Sequence, residues 1–321
     1  MRASIFFAAL LVTQTALAAD KTATDAAGRS VSVPEHPERV VVLHEPLIGV
    51  PLADLGLAPI GSYGRDDAGK TLMSVGFYEA VLGSRAPSPL PKGIGALGNL
   101  DLEKVRALDP DLIVGTEHDL DKAERLSTVA PVYLQPSSTG LVSGFAAEGM
   151  LADLVGRQEE FTARQETYHH RVDAVRASLP VDPNCQTYLA IFLTDQINAV
   201  GEMSGAIQAI EDLGFRRADL GEPGAPSAFG STLLVPLSAE VFGRLDPDLL
   251  IVMNSYTGSD RDEAAIRARL DRIVPGWDRF LKPAREGRIV FLDSAEVTTP
   301  SIASALNTLE AFEEWAGARQ P

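Results

Sequence analysis

Leu108-Asp109-Pro110-Asp111-Leu112-Ile113-Val114 recurs as Leu245-Asp246-Pro247-Asp248-Leu249-Leu250-Ile251-Val252. The correspondence extends upstream at the same spacing, with Leu100-Asp101-x-Glu103 against Leu237-Ser238-x-Glu240. Each copy predicts a short helix, a turn at Asp-Pro where proline stops the helix, and a strand. An unbroken apolar run of this kind suits a parallel strand covered on both faces. The copies lie about 137 residues apart, far beyond the roughly 20–50-residue period of a solenoid repeat. That distance suits two similar α/β lobes, and two lobes imply a cleft in which a ligand sits.

The first residues read as a targeting segment. Arg2 gives a positive start, Ile5 to Val12 is a brief apolar run, and Ala16-Leu17-Ala18 offers the small-x-small pattern of a cleavage site. Residues 1–19 are therefore expected to be a signal peptide, cleaved near Ala18 or Ala19. The run is shorter than the about 20 apolar residues that span a bilayer, and no later stretch qualifies. No cysteine lies near the cleavage site, so a lipid anchor is not expected, and the mature chain reads as a soluble periplasmic monomer. The chain is 45% hydrophobic, and its single cysteine, Cys185, rules out a disulfide framework. Cys185 just precedes an apolar strand and is expected to be a small buried hydrophobe. A net charge of −16 argues against nucleic acid or an anionic membrane as the main partner and suits a basic docking surface on a partner protein.

The rest of the chain alternates strand and helix. Asp25 to Val33 predicts a hairpin, Arg39 to Leu43 a buried strand, Leu47 to Leu55 a helix stopped by Gly56, and Ala58 to Tyr63 a second strand. Gly93 to Asn99 is a glycine-rich loop, and Pro131 to Leu134 a further strand. From Glu159 onward the pattern has helical period, with Phe161, Tyr168, Val172 and Val175 on one face, and it ends at Pro180. Thr187 to Leu193, Leu249 to Met253 and Arg288 to Leu292 are strands of the second half, with helices at 206–213, 262–270 and 301–315. The predicted fold is α/β: two Rossmann-like lobes with mostly parallel sheets, joined by one long helix, with the ligand cleft between them. The expected divisions are 20–157 for the first lobe, 158–180 for the linking helix and 181–321 for the second lobe. A helical link predicts a stiff cleft that closes little on its ligand.

Several motifs occur in order: Gly28-Arg29-x-Val31-x-Val33-Pro34-x-x-Pro37-x-Arg39-Val40-Val41, Leu55-Gly56-Leu57-x-Pro59-Ile60-Gly61, and Leu102-Glu103-x-Val105-x-x-Leu108-x-Pro110-Asp111-Leu112-Ile113. Ala206-Ile207-x-x-Ile210-x-x-Leu213-Gly214-Phe215 follows in the second half. Together they resemble the periplasmic substrate-binding proteins of iron-chelate and cobalamin ABC importers, over nearly the whole mature chain. The resemblance implies capture of a ferric siderophore or similar iron chelate and delivery to an ABC permease. It implies no enzymatic activity and no cofactor; the ligand itself carries Fe(III). It also implies one exposed glutamate per lobe that pairs with arginines of the permease, and these map onto Glu103 and Glu240.

In parallel α/β sheets, ligands bind beyond the carboxyl ends of the strands. That rule selects His44, Glu45, Tyr63, Arg65, the Gly95–Asn99 loop with Asn99, and Glu117 with His118 in the first lobe. In the second it selects Thr194, Asp195, Gln196, Phe229, Asn254, Ser255 and Tyr256, with Arg261 nearby. Arg65 is the leading candidate, because a guanidinium presents a planar fork of donors to chelate oxygens. Tyr63, Phe229 and Tyr256 supply flat walls. His44-Glu45 and Glu117-His118 either line the cleft or ligate a metal directly; no metal site is expected, and His44 and His118 are its weak candidates. Haem, cobalamin or a bare metal ion are alternative cargoes, with Tyr63, His44 or His118 as axial ligand to haem. A metal-dependent periplasmic hydrolase is the alternative of another class. No Gly-x-Ser-x-Gly elbow, P-loop or His-Glu-x-x-His occurs in the chain.

Overall fold

The computed structural model describes residues 20–96, 99–137, 144–200, 205–220, 234–258 and 260–319. β1 (Asp20–Thr24) and β2 (Ser30–Pro34) pair as an antiparallel hairpin. Asp25 closes its turn by accepting from the amides of Ala27 and Arg29. β3 (Val40–Val42) is fully buried. Val40 and Val42 enter one core, and Val41 with Leu43 enters the other, which is why the run is apolar throughout. A π-turn at Glu45–Gly49 leads into α1 (Val50–Asp54), followed by β4 (Gly61–Ser62) and α2 (Phe77–Leu82). Next come β5 (Lys92–Gly93), a small hairpin of β6 (Gly95–Ala96) and β7 (Asn99–Leu100), and α3 (Leu102–Ala107). β8 (Leu112–Thr116), α4 (Leu120–Leu126) and β9 (Val132–Gln135) complete the lobe. Its five-stranded sheet has the order β5-β4-β3-β8-β9 and is parallel throughout.

α5 (Ala146–Val155) ends at Gly156, whose φ of 69° places it in the left-handed region that favours glycine. α6 (Gln158–Ser178) then runs for 21 residues, or about 31 Å at 1.5 Å per residue. It buries Tyr168, Val172 and Val175 in the second lobe's core. Cys185 is exposed rather than buried, because the Asp182-capped turn Pro183–Cys185 holds it outside the strand that follows.

The second lobe contains β10 (Thr187–Leu193), β11 (Ile197–Val200), α7 (Gly205–Asp212), β12 (Arg216–Arg217), β13 (Leu234–Leu237) and α8 (Ala239–Arg244). β14 (Leu249–Asn254), α9 (Glu263–Ile273), α10 (Trp277–Phe280), α11 (Lys282–Arg285), β15 (Ile289–Phe291), α12 (Ser294–Val297) and α13 (Ile302–Gly317) follow. The sheet order is β13-β11-β10-β14-β15, with β12 also on β10. β10, β12, β14 and β15 are parallel, whereas β11 turns straight back from β10 and is antiparallel to it. A connection as short as Thr194–Gln196 permits no other pairing.

The two copies of the repeat hold the same place in both sheets. β8 lies between β3 and β9, and β14 between β10 and β15. The second aspartate of each copy fixes the neighbouring strand. Asp111 accepts from the amides of Glu38 and Arg39 just before β3, and its own amide donates to the Arg39 carbonyl. Asp248 accepts from the amide and hydroxyl of Thr187, the first residue of β10, and its amide donates to the Thr187 carbonyl. The repeated motif is thus a register clamp for parallel pairing.

The linking helix is not the whole joint. α13 packs on α6 and α7 and also reaches α1 and α2 of the first lobe. A shared apolar cluster joins Val50, Phe77, Tyr78 and Val81 of the first lobe to Ala295 and Ala303 of the second. The cleft therefore has a packed floor beneath it.

Candidate functional site

The carboxyl ends of β10 and β14 in the second lobe meet α2 of the first, and the side chains there are built upward from the floor. Phe77 opens α2 in the first lobe, and Phe192 lies near the end of β10 in the second. Tyr256, just past β14, stands edge-on to both, with ring centroids 5.4 Å from Phe77 and 5.7 Å from Phe192. It stays 38% exposed, so one aromatic surface faces outward where the lobes meet. Asn254 holds this loop: its Nδ2 donates to the Asp260 carbonyl at 2.7 Å, while its buried Oδ1 has no hydrogen-bond partner among the described residues. Arg261 braces the same loop by donating to Gly258 O at 2.8 Å and to Asp293 at 2.7 Å.

Arg65 does not offer its fork to a ligand. Its side chain is fully buried, and its donors are spent inside the protein. Nε and Nη2 donate to Glu45 at 2.6 and 2.8 Å, Nη1 to Gly69 O at 2.6 Å, and Nη1 and Nη2 to Glu79 at 3.1 and 2.7 Å. Its guanidinium also lies 5.0 Å from the Tyr78 ring centroid. Glu45 is buried with it and accepts from the Phe77 amide at 2.7 Å. Arg65 and Glu45 therefore position the start of α2, and through it Phe77. Burial disfavours the charged guanidinium, but the two carboxylates that converge on it more than offset this and hold its pKa above the ordinary value.

Tyr63 is likewise turned inward. It is 4% exposed, and its buried hydroxyl has no hydrogen-bond partner among the described residues. Burial, with the charge of Asp119, pushes its pKa up to about 12. A phenol so enclosed is neither a wall of the cleft nor an axial ligand to iron. His44 is half-buried, and its Nδ1 accepts from the Leu47 amide at 3.4 Å. Burial lowers its pKa to about 4, and the nearby His118 adds to this, against the opposing charge of Asp119. The imidazole is neutral near pH 7. His118 is exposed on the turn Glu117–Asp119, and Glu117 accepts from the amide and hydroxyl of Ser137 at 2.8 Å. Asn99 is exposed on β7. Among the described residues, no group of three or more His, Cys, Asp or Glu side chains is placed to hold a metal ion. Phe229 lies outside the described residues.

Four residues that shape the floor escaped the sequence reading: Phe77, Glu79, Phe192 and Asp293. Phe77 and Glu79 sit in a helix and not at a strand end, so the carboxyl-end rule passes over them. Phe192 belongs to the strand itself. Asp293 lies two residues past β15, and the rule should have found it.

Glu103 and Glu240 occupy equivalent positions. Each lies in the first turn of its helix, α3 capped by Asp101 and α8 capped by Ser238, and each side chain is 79% exposed. β13 leads directly into α8, and α3 follows the β6–β7 hairpin. Both helices therefore start from the same edge of their sheets as the cleft. Their basic neighbours are on their own helices, Arg106 and Arg244.

The chain belongs to the periplasmic binding protein family, whose profile matches residues 69–296. A Bacillus subtilis (strain 168) protein, YhfQ, whose name gives it provisionally as an ABC transporter substrate-binding lipoprotein, is 26% identical over 268 residues, covering 82% of this chain and 78% of that one. Two solved structures share the fold. The Vibrio cholerae siderophore-binding protein FhuD with Fe3+–Desferal bound superposes with a TM-score of 0.65 at 20% identity, covering 88% of this chain and 99% of that one. The Vibrio cholerae periplasmic catecholate-siderophore binding protein VctP gives 0.65 at 16% identity, covering 92% and 100%.

Proposed function

We propose that this protein captures a ferric siderophore or a similar iron chelate between its lobes and delivers it to an ABC permease, without catalysing a reaction. The observation that carries this reading is the exposed face of Tyr256, held between Phe77 and Phe192 where the two lobes meet. A flat aromatic surface at the floor of a stiff, two-lobed cleft suits a bulky chelate with apolar arms better than a bare ion. His118, Asn99 and the hydroxyls of Ser255 and Thr257 are the polar groups proposed around it. The chain is proposed to reach the periplasm through a cleavable leader, and no helix among the described residues is long and apolar enough to cross a membrane.

Titration with a panel of ferric siderophores, followed by intrinsic fluorescence and calorimetry, is expected to give saturable binding. Tyr256→Ala is expected to weaken it about 10-fold, the worth of one aromatic contact of about 1.5 kcal/mol. Absence of binding by every member of the panel, or unchanged affinity in Tyr256→Ala, counts against the reading.

Docking is proposed to use Glu103 and Glu240. Two carboxylates at matching places on two lobes give long-range attraction and two-point registration with a basic permease mouth. Glu103→Ala and Glu240→Ala are expected to leave cargo affinity within about 2-fold, because rim charges steer encounter more than they hold cargo, and to abolish chelate uptake. A fall in affinity would place these residues in the cleft instead.

A further inference from the structure

The large apolar side chains left exposed among the described residues are Leu72, Leu120, Tyr256 and Phe280. Single exposed apolar residues are ordinary on a protein surface, but these are not scattered. Leu72 lies in the loop after β4, Leu120 opens α4 just past the Glu117–Asp119 turn that follows β8, and Tyr256 lies just past β14. Three of the four therefore follow the carboxyl ends of parallel strands, the edge at which α/β sheets bind ligands. Phe280, on α10, is the exception. Leu72 is 63% exposed, yet the backbone around it is tied down. Its amide donates to Gly64 O at 2.8 Å, and Thr71 Oγ1 donates to Val75 O and accepts from the Met73 amide, both at 3.2 Å. Met73 and Val75 pack in the cluster that contains Phe77, so the segment presenting Leu72 is anchored with the ring that Tyr256 meets edge-on. Leu120 is 50% exposed, while Ala123 and Leu126 of the same helix are buried in the first lobe's core. Asp119 fixes the turn before it by accepting from the amide and hydroxyl of Thr116 and pairing with Lys122. β4 and β8 flank β3, so at about 4.8 Å per strand the two leucine-bearing loops leave the sheet about 10 Å apart.

Two leucines are thus held in water by fixed loops, on either side of one strand end. Resting on the siderophore reading above, we infer that Leu72 and Leu120 form an apolar subsite of the first lobe that takes the hydrocarbon or aromatic arms of the chelate, with Tyr256 as its counterpart on the second lobe. The cargo class is then ferric chelates with an apolar periphery. A ferric hydroxycarboxylate, whose outer surface is carboxylate and hydroxyl oxygen, would draw nothing from these three side chains. Taking most of one leucine side chain out of water strengthens binding by about 10-fold.

The test uses the full mature chain and two kinds of probe. The uncharged dye N-phenyl-1-naphthylamine reads the apolar surface whatever the cargo. The N-acetyl and N-benzoyl derivatives of ferrioxamine B share one ferric core and carry no net charge, and they differ only in a methyl against a phenyl group. The dye is expected to bind saturably. The double variant Leu72→Ser/Leu120→Ser should weaken it by about 10-fold or more, whereas Phe280→Ser should leave it unchanged. The N-benzoyl chelate should bind about 10-fold tighter than the N-acetyl one, and the double variant should erase that preference. Both leucines are exposed, so urea unfolding of the double variant should match that of the unaltered chain. Equal affinity for the two derivatives, or dye binding that does not need the two leucines, overturns the subsite and leaves the siderophore reading standing. Dye binding that needs the leucines but is displaced by neither derivative nor any other ferric siderophore overturns the siderophore reading, and with it the assignment of the subsite to chelate arms.

Discussion

Replacing Arg65 by Ala is expected to lower the stability of the protein by about 3–5 kcal/mol, the usual cost of removing one partner from a buried ion pair. Among the described residues, the variant leaves Glu45 buried with only the Phe77 amide as donor, and it leaves Glu79 without a counter-ion. Arg65→Lys should recover part of the loss. An ammonium restores the charge but not the fork that reaches Glu45, Glu79 and Gly69 O together. Urea unfolding followed by circular dichroism measures both. A loss below about 1 kcal/mol for Arg65→Ala would show that the node is a surface ion pair in effect. The same variants separate the two roles open to this residue. If Arg65 gripped cargo, Arg65→Lys would lose affinity at nearly full stability; a positioning role predicts that stability falls first.

Acid should act on this node in a defined direction. Burial pushes the Glu79 carboxyl up, but the hydrogen bond and charge of Arg65, with a backbone bond, more than offset it and leave the pKa below the ordinary carboxylate value. A carboxyl whose pKa is lower in the folded chain adds stability above its unfolded pKa and loses it as the pH falls through the folded one. This contribution is present at neutral pH, fades below the ordinary carboxylate range, and is absent from Arg65→Ala.

Much of the fold was legible because it rests on local chemistry. The apolar runs at 40–43 and 249–253 needed cover on both faces, and the doubled Asp-Pro-Asp fixed where equivalent strands begin. Its second aspartate proves to be the reason: Asp111 and Asp248 each clamp the start of the neighbouring strand. The antiparallel β11 was less visible, since a three-residue turn and an apolar strand look alike in either sheet. The cleft was read less well, for a physical reason. Sequence places a side chain at a strand end but does not say which way it turns. Arg65 turned inward because Glu45 and Glu79, twenty residues before it and fourteen after, converge only once α2 has packed. Tyr63 turned inward because β4 is an interior strand whose following residue enters the α3–α4 core. Tyr256 stayed outward, but its partners come from both lobes, and no local pattern joins Phe77 to Phe192.

The second large effect is expected where α13 meets the first lobe. The amides of Ile302 and Ala303, in the first turn of that helix, donate to Glu148 at 2.6 Å and Asp54 at 2.9 Å. Helix amino termini leave such donors unsatisfied and attract negative charge. Asp54 also faces Arg85, and Arg164 from the linking helix lies 2.7 Å away in a charge contact. Asp54→Ala removes the acceptor common to all three and is expected to cost about 3–5 kcal/mol. Loosened lobes should also weaken cargo binding.

Glu148 should behave differently. It is fully buried, and burial followed by the charge of Asp54 raises its pKa well above the ordinary value, against the Ile302 amide and Arg164. Glu148→Gln, which mimics the neutral acid that this upward shift favours, is expected to change stability by less than about 1 kcal/mol near the ordinary carboxyl pKa. A carboxyl with a raised folded pKa stabilises below its unfolded pKa and loses that contribution as the pH rises toward the folded one. Glu148→Gln removes this decline, so its stability relative to the unmodified protein should grow as the pH is raised from the acid range toward neutrality. Thermal unfolding across that range reads the sign directly. A difference that stays flat, or reverses, would mean that Glu148 is ionised in the folded protein and that the first turn of α13 is held by two negative charges instead of one.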